Sequence, residues 1–237
     1  MRAITPRSLR LAAAAALLAG LAAAQEPPSV ETILDNVTQA ARDLQDASFL
    51  LTGRVIDADG TEFALEIEVQ VIPGQDLASA YIIQPDALAD NQIVLDGASV
   101  YSYSFLTNQV TIFDADDPDA LGGILPTGQD GATANLSLDL GQILEGYDAE
   151  LVGVEDGPDG PVYRLAFANR DREAMILDVD AWVLAADWLP RRLVFKEEDG
   201  RVVAELNAEQ LVVNQGLDPA EVRALPEDAE VIDNRSD

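Results

Sequence analysis

The chain has 237 residues, no cysteine, no histidine, and 14 basic residues against 43 acidic ones. A disulfide framework, a thiol nucleophile, a Cys/His zinc site and a Ser-His-Asp triad are therefore excluded. The formal net charge of −29 sets the surface against nucleic acid, whose phosphates require a basic partner.

Residues 1–24 read as a secretory signal: Arg2, Arg7 and Arg10 precede an apolar run from Leu11 to Leu21, and Ala22-Ala23-Ala24 supplies small residues for cleavage. That run is shorter than the roughly 20 residues a bilayer span takes. Gln25 follows the expected cut, so no lipidated cysteine anchors the product. The mature chain, 25–237, then keeps 11 basic residues against 43 acidic, a net charge of −32. No later apolar run reaches membrane length, so stable membrane insertion is not expected. Such charge favours a soluble monomer. The alanine-rich signal is of bacterial type, so the Asn-x-Ser/Thr triplets at Asn36, Asn135 and Asn234 read as chance.

An amphipathic helix follows. Ser29 is placed to cap it, and Val30, Ile33, Leu34, Val37, Ala41 and Leu44 recur at steps of three and four. Period 2 then takes over: Phe63, Leu65, Ile67, Val69 and Val71 alternate with polar residues such as Glu62, Glu66, Glu68 and Gln70, which describes a strand with one wet face. Asp-Gly pairs at 59–60, 96–97, 130–131, 156–157, 159–160 and 199–200 mark turns. Alternation and punctuation predict strands at 47–56, 61–72, 77–84, 91–95, 98–105, 109–113, 147–154, 161–168, 174–184, 189–197 and 201–213. Residues 114–131 read as a long loop, and short helices are expected at 136–145 and 218–225. Short connections favour antiparallel neighbours. A sheet of that size curls, splits or closes. The expected class is mainly β (α+β), a single curled sheet with an N-terminal helix over its apolar concave face.

The motifs in order resemble the LolA-type periplasmic lipoprotein carriers. Ala47-Ser48-Phe49, Gly53-Arg54-Val55 and Asp57 to Gly60 match the opening hairpin, and Pro73-Gly74 and Gln84-Pro85 continue the likeness. It is strongest from Ile93 to Tyr103, where Asp96-Gly97 precedes Val100-Tyr101-Ser102-Tyr103, followed by Gln109-Val110-Thr111. Trp188-Leu189-Pro190-Arg191-Arg192, Asp199-Gly200-Arg201, Asn214 and Gly216 resemble the late strands of broader lipoprotein-sorting relatives. Together these span most of residues 29–233. One departure stands out: Leu77-Ala78-Ser79-Ala80-Tyr81 lacks the arginine that many carriers have in this strand.

The resemblance implies an open half-barrel of about eleven antiparallel strands, lidded by helices, that takes acyl chains of a lipoprotein or lipid. It implies a periplasmic location, an inner-membrane donor, an outer-membrane acceptor, no cofactor and no enzymatic role. A stress regulator of the MucB/RseB type, binding a partner protein through the same fold, is the alternative. Under the carrier reading, Leu34, Val37, Phe49, Leu51, Phe63, Leu65, Ile67, Tyr101 and Tyr103 line the cavity; the other reading of each is ordinary core or sheet packing. Arg54 holds a polar headgroup if it faces inward and is solvated if it faces outward.

Two acidic groups are candidates for chemistry. Asp114, Asp116, Asp117 and Asp119 crowd one loop but lack the glycine and distal glutamate of a calcium loop, so no metal is expected. Asp178 and Asp180 share a strand face in the manner of a hydrolase carboxylate pair, and read better as a wet sheet face. Arg191 and Arg192 point to opposite faces and are expected to pair with neighbouring carboxylates.

Overall fold

The structure is a computed structural model that describes residues 27–56, 59–117, 138–171, 174 and 176–235. The signal region, most of the predicted loop 114–131 and Asp119 lie outside the described residues. Helix α1 spans Val30–Asp43. Ser29 caps it, its Oγ accepting from the Thr32 N–H at 3.3 Å. Its apolar stripe buries Ile33 and Val37 completely. Each such side chain contributes about 2 kcal/mol of burial.

The strands are β1 (Ala47–Ile56), β2 (Glu62–Ile72), β3 (Leu77–Gln84), β4 (Gln92–Asp96), β5 (Ser99–Ser104), β6 (Gln109–Asp114), β7 (Tyr147–Gly157), β8 (Gly160–Asn169), β9 (Asp178–Leu184), β10 (Pro190–Lys196), β11 (Val202–Val213) and β12 (Glu230–Asp233). There are also two short helices, α2 (Leu140–Ile143) and α3 (Pro219–Val222), and single 3-10 turns at Pro73–Gln75 and Asp86–Leu88. All twelve strands belong to one open sheet, ordered β12-β6-β5-β4-β3-β2-β1-β11-β10-β9-β8-β7. Two antiparallel meanders meet where β1 pairs with β11, so the chain's two halves join at the middle of the sheet.

The eleven predicted strands are all present. Strand β9 begins at Asp178 rather than 174, and the Asp156-Gly157 pair lies within β7 rather than in a turn. A bulge between Leu151 and Gly153 absorbs one extra residue in β7. The twelfth strand is an addition to the expected set. β12 is short and pairs with β6 in parallel, the one parallel pairing among those described. The turn at Gly97 adopts a φ of 61°, a left-handed conformation natural to glycine, and closes the tight β4–β5 hairpin.

The core divides by face. On the concave side, one cluster runs under β1–β5 and β11, including Phe49, Leu65, Ile67, Val69 and Ile82. A second gathers Ile33 and Val37 of α1 and Leu140 of α2 over Leu165, Phe167, Val179 and Val183. The third lies on the convex side, where the C-terminal segment brings Val222 against Ile72, Leu77 and Val94. Arg223 fixes that segment through a bidentate pair with Asp96 at 2.7 and 3.0 Å.

Candidate functional site

The concave face is built from cross-strand rows of apolar residues. One row passes Phe63, Val55, Ala204, Phe195, Val179, Phe167 and Ala149, each a direct partner of the next across seven strands. The adjacent row passes Leu65, Gly53, Leu206, Leu193, Ala181, Leu165 and Leu151. A third begins at Ile67, Leu51 and Ala208. No charged side chain interrupts the first two.

This face is not covered evenly. Helix α1 and α2 close it over β7–β9, where Val179, Ala181, Val183 and Leu165 are fully buried. Toward the centre, Leu51, Phe63, Leu206 and Ala208 border one cluster, Leu193 borders the other, and Phe195 touches both; all six are only half-buried. Beside them the β9–β10 turn folds inward. Trp188, at φ 59°, stacks on Tyr163 with ring centroids 5.4 Å apart, and Leu189 is buried. Asp187 holds that turn by accepting from the Leu189 N–H and pairing with Arg191.

The sequence-derived cavity residues therefore separate into groups. Leu51 and Phe63 lie on the half-buried floor. Phe49, Leu65 and Ile67 face the same way but are buried core. Val37 and Leu34 form the underside of the α1 lid, Val37 fully buried and Leu34 packed beside it.

Tyr101 and Tyr103 require a correction: they lie on the convex face. Val100 and its partners Leu95 and Phe113 belong to the concave cluster, so alternation turns Tyr101 and Tyr103 the other way. Tyr101 packs on the cluster around Val222, and the Tyr103 hydroxyl sits 3.2 Å from Asn108 Oδ1, to which it donates.

Arg54 is corrected for the same reason. Its neighbours Gly53 and Val55 belong to the concave rows, so Arg54 faces outward, where it pairs with Glu62 at 3.7 Å and Glu205 at 3.4 Å. It therefore lies on the face opposite the apolar floor.

The convex face carries the remaining charges as a network. The guanidinium carbons of Arg164 and Arg192 lie 5.2 and 4.5 Å from the Trp182 ring centroid. Asp180 accepts from Arg164 and Lys196, each at 2.9 Å, while Glu205 receives Arg192 at 2.7 Å. Burial pushes the Asp180 carboxyl up, but the hydrogen bonds and charges of Lys196 and Arg164 outweigh it and hold it below the usual carboxylate range. Asp180 is thus an ion-paired sheet residue on the side away from the apolar floor. Arg191 and Arg192 diverge as expected, toward Asp187 and Glu205. Among the described residues, no cluster of three or more acidic side chains is arranged to hold a metal ion.

Sequence reasoning missed the contribution of β10 and β11, whose Leu193, Phe195, Leu206 and Ala208 complete the floor. Their alternation is legible, but only pairing with β1 shows that they share its inward face.

No protein-family model matches the chain, and no curated protein matches it. Solved structures do. An uncharacterized conserved protein from Thermus thermophilus superposes with a TM-score of 0.61 at 23% identity, covering 86% of this chain and 98% of that one. MucB in the Pseudomonas aeruginosa MucA/MucB complex gives 0.50 at 17% identity over 81% of this chain, which spans 60% of that one. A LolA superfamily protein from Nitrosomonas europaea is matched over 82% of this chain and 97% of that one, at 15% identity and a TM-score of 0.39. The fold is the one shared with the Thermus protein and with MucB: a single open sheet, curled as a half-barrel, with helices over its concave face.

Proposed function

We propose that this chain is a periplasmic binding protein that holds the acyl chains of a lipid or lipoprotein against the half-buried floor formed by Leu51, Phe63, Leu193, Phe195, Leu206 and Ala208. The observation that carries this reading is the pair of uninterrupted apolar rows, along which Phe63, Phe195, Leu206 and Leu193 stay only half-buried on the part not covered by α1 and α2. Interiors fill to crystal-like density unless something else completes them. An acyl chain laid there gains about 0.8 kcal/mol per methylene buried. Binding, rather than catalysis, is the activity.

Transfer follows from differential affinity. The ligand moves from an inner-membrane donor to this chain and on to an outer-membrane acceptor if each step offers it a better apolar site. The charge of −32 after signal removal keeps the carrier off anionic bilayers between the two. No helix among the described residues is long and apolar enough to cross a membrane.

The test is native mass spectrometry of the mature protein purified from its own envelope without detergent. A retained mass that dissociates as a phospholipid, glycolipid or acylated peptide supports the carrier and names its cargo. A bare mass, with no uptake of added fatty acid, defeats it. That result favours the second reading, a partner-binding regulator, which draws on the likeness to MucB in its complex with MucA.

A further inference from the structure

We infer that the free edge of β7 is a docking site for an extended, basic segment of a partner protein, which adds to the sheet as a further strand. The two edges of the sheet are unequal. One ends in the chain's own C-terminal β12, a short edge strand of four residues laid on β6. The other is β7, eleven residues long, which pairs with β8; among the described residues no strand pairs with its other side.

An open edge presents every second backbone N–H and C=O outward and is ordinarily blunted by lysine, proline or short length. Strand β7 has none of these. Val152 and Val154 stand 49% and 45% exposed on it. Its protective devices are the bulge at Val152, which leaves regular strand on either side, and its exposed carboxylates, which act against an acidic or identical strand.

The charges select the occupant. Asp148, Glu150, Glu155 and Asp156 are all exposed along this strand, with Arg170 reaching Asp148 at 3.7 Å. A second copy of the chain would bring two such rows of carboxylates together, which disfavours self-pairing. A segment bearing lysine or arginine is favoured instead. Alternation specifies the rest: Ala149 and Leu151 end the apolar rows of the concave face, and Asp148 and Glu150 point the opposite way. The matching segment alternates Val, Ile or Thr on its concave side with Lys or Arg on the other. Backbone hydrogen bonds supply affinity and alternate side chains supply specificity. Occupation of this edge is independent of any acyl ligand.

The test uses the mature full chain and a fluorescein-labelled octapeptide, Lys-Val-Lys-Val-Lys-Val-Lys-Val amide. A control peptide of equal charge carries proline at alternate valines. The expected result is binding of the first at least tenfold tighter than the control, with amide hydrogen-exchange protection confined to 147–157. Glu150→Lys with Glu155→Lys is expected to reduce that affinity at least tenfold. Equal binding of both peptides, or protection elsewhere on the wild-type chain, overturns the inference. The exchange measurement needs no variant, so a misfolded double mutant leaves the test intact.

Discussion

A Cβ placed on Gly53 would lie 1.9 Å from the backbone carbonyl oxygen of Glu205. The β1–β11 seam, which joins the chain's two halves, is thus closed at a point where no side chain fits. The neighbouring atom is backbone and cannot swing aside. Gly53→Ala is expected to force the strands apart and cost about 3 kcal/mol, at the upper end for overpacking. The urea unfolding midpoint measures it.

The two sheet faces make opposite predictions for ligand binding. Leu206→Gln places an amide among the half-buried residues of the floor and is expected to weaken fatty-acid binding at least tenfold. Tyr101→Ala, on the convex face, is expected to leave that affinity within twofold. Displacement of a fluorescent fatty acid from the mature chain distinguishes them, with unfolding curves to confirm that both variants fold.

Asp46 fastens the start of β1 to the end of β11. Its buried carboxylate accepts from the backbone N–H groups of Gln215 and Gly216, both at 2.9 Å, and its carbonyl accepts from the Asn214 N–H at 2.8 Å. Asp46→Ala strands two backbone donors and is expected to cost about 2 kcal/mol. Faster amide exchange at 214–216 would accompany the shift in urea midpoint.

Acid stability should follow two carboxylates. The hydrogen bond from Arg223 is the main cause that holds Asp96 below its ordinary value of 3.8. Asp180 is held below the same value because Lys196 and Arg164 outweigh the opposing effect of burial. A depressed folded pKa contributes stability in full above the unfolded value, and that contribution is lost as pH falls through the folded one. Urea midpoints are expected to hold steady down to about pH 5 and to decline below about pH 4. Asp180→Asn should lower the neutral-pH midpoint and make the acid decline shallower.

Much of the fold is legible in the sequence because its signals are local. Ser29 and the Val30–Leu44 stripe predict α1, and Phe63 through Val71 predict a strand with one wet face. Strand β12 is not legible: Glu230–Asp233 is a four-residue stretch with exposed side chains, paired in parallel with a strand more than a hundred positions earlier. Of the proposed cavity residues, Leu51 and Phe63 fall on the half-buried floor. Tyr101, Tyr103 and Arg54 fall on the convex face because alternation shows which residues share a face without showing which face is inward.

Eleven of the twelve described strands, helix α1, the acidic surface and the exclusion of thiol, histidine and zinc chemistry are legible in the sequence. These depend on residue type and short-range period, which travel with the chain. Strand pairing sets which alternating set lines the concavity, how β10 and β11 complete the floor begun by β1 and β2, and which strands stand at the two edges of the described sheet. Those depend on register between strands far apart in sequence. A one-residue shift in that register would exchange the two faces while leaving every local pattern unchanged.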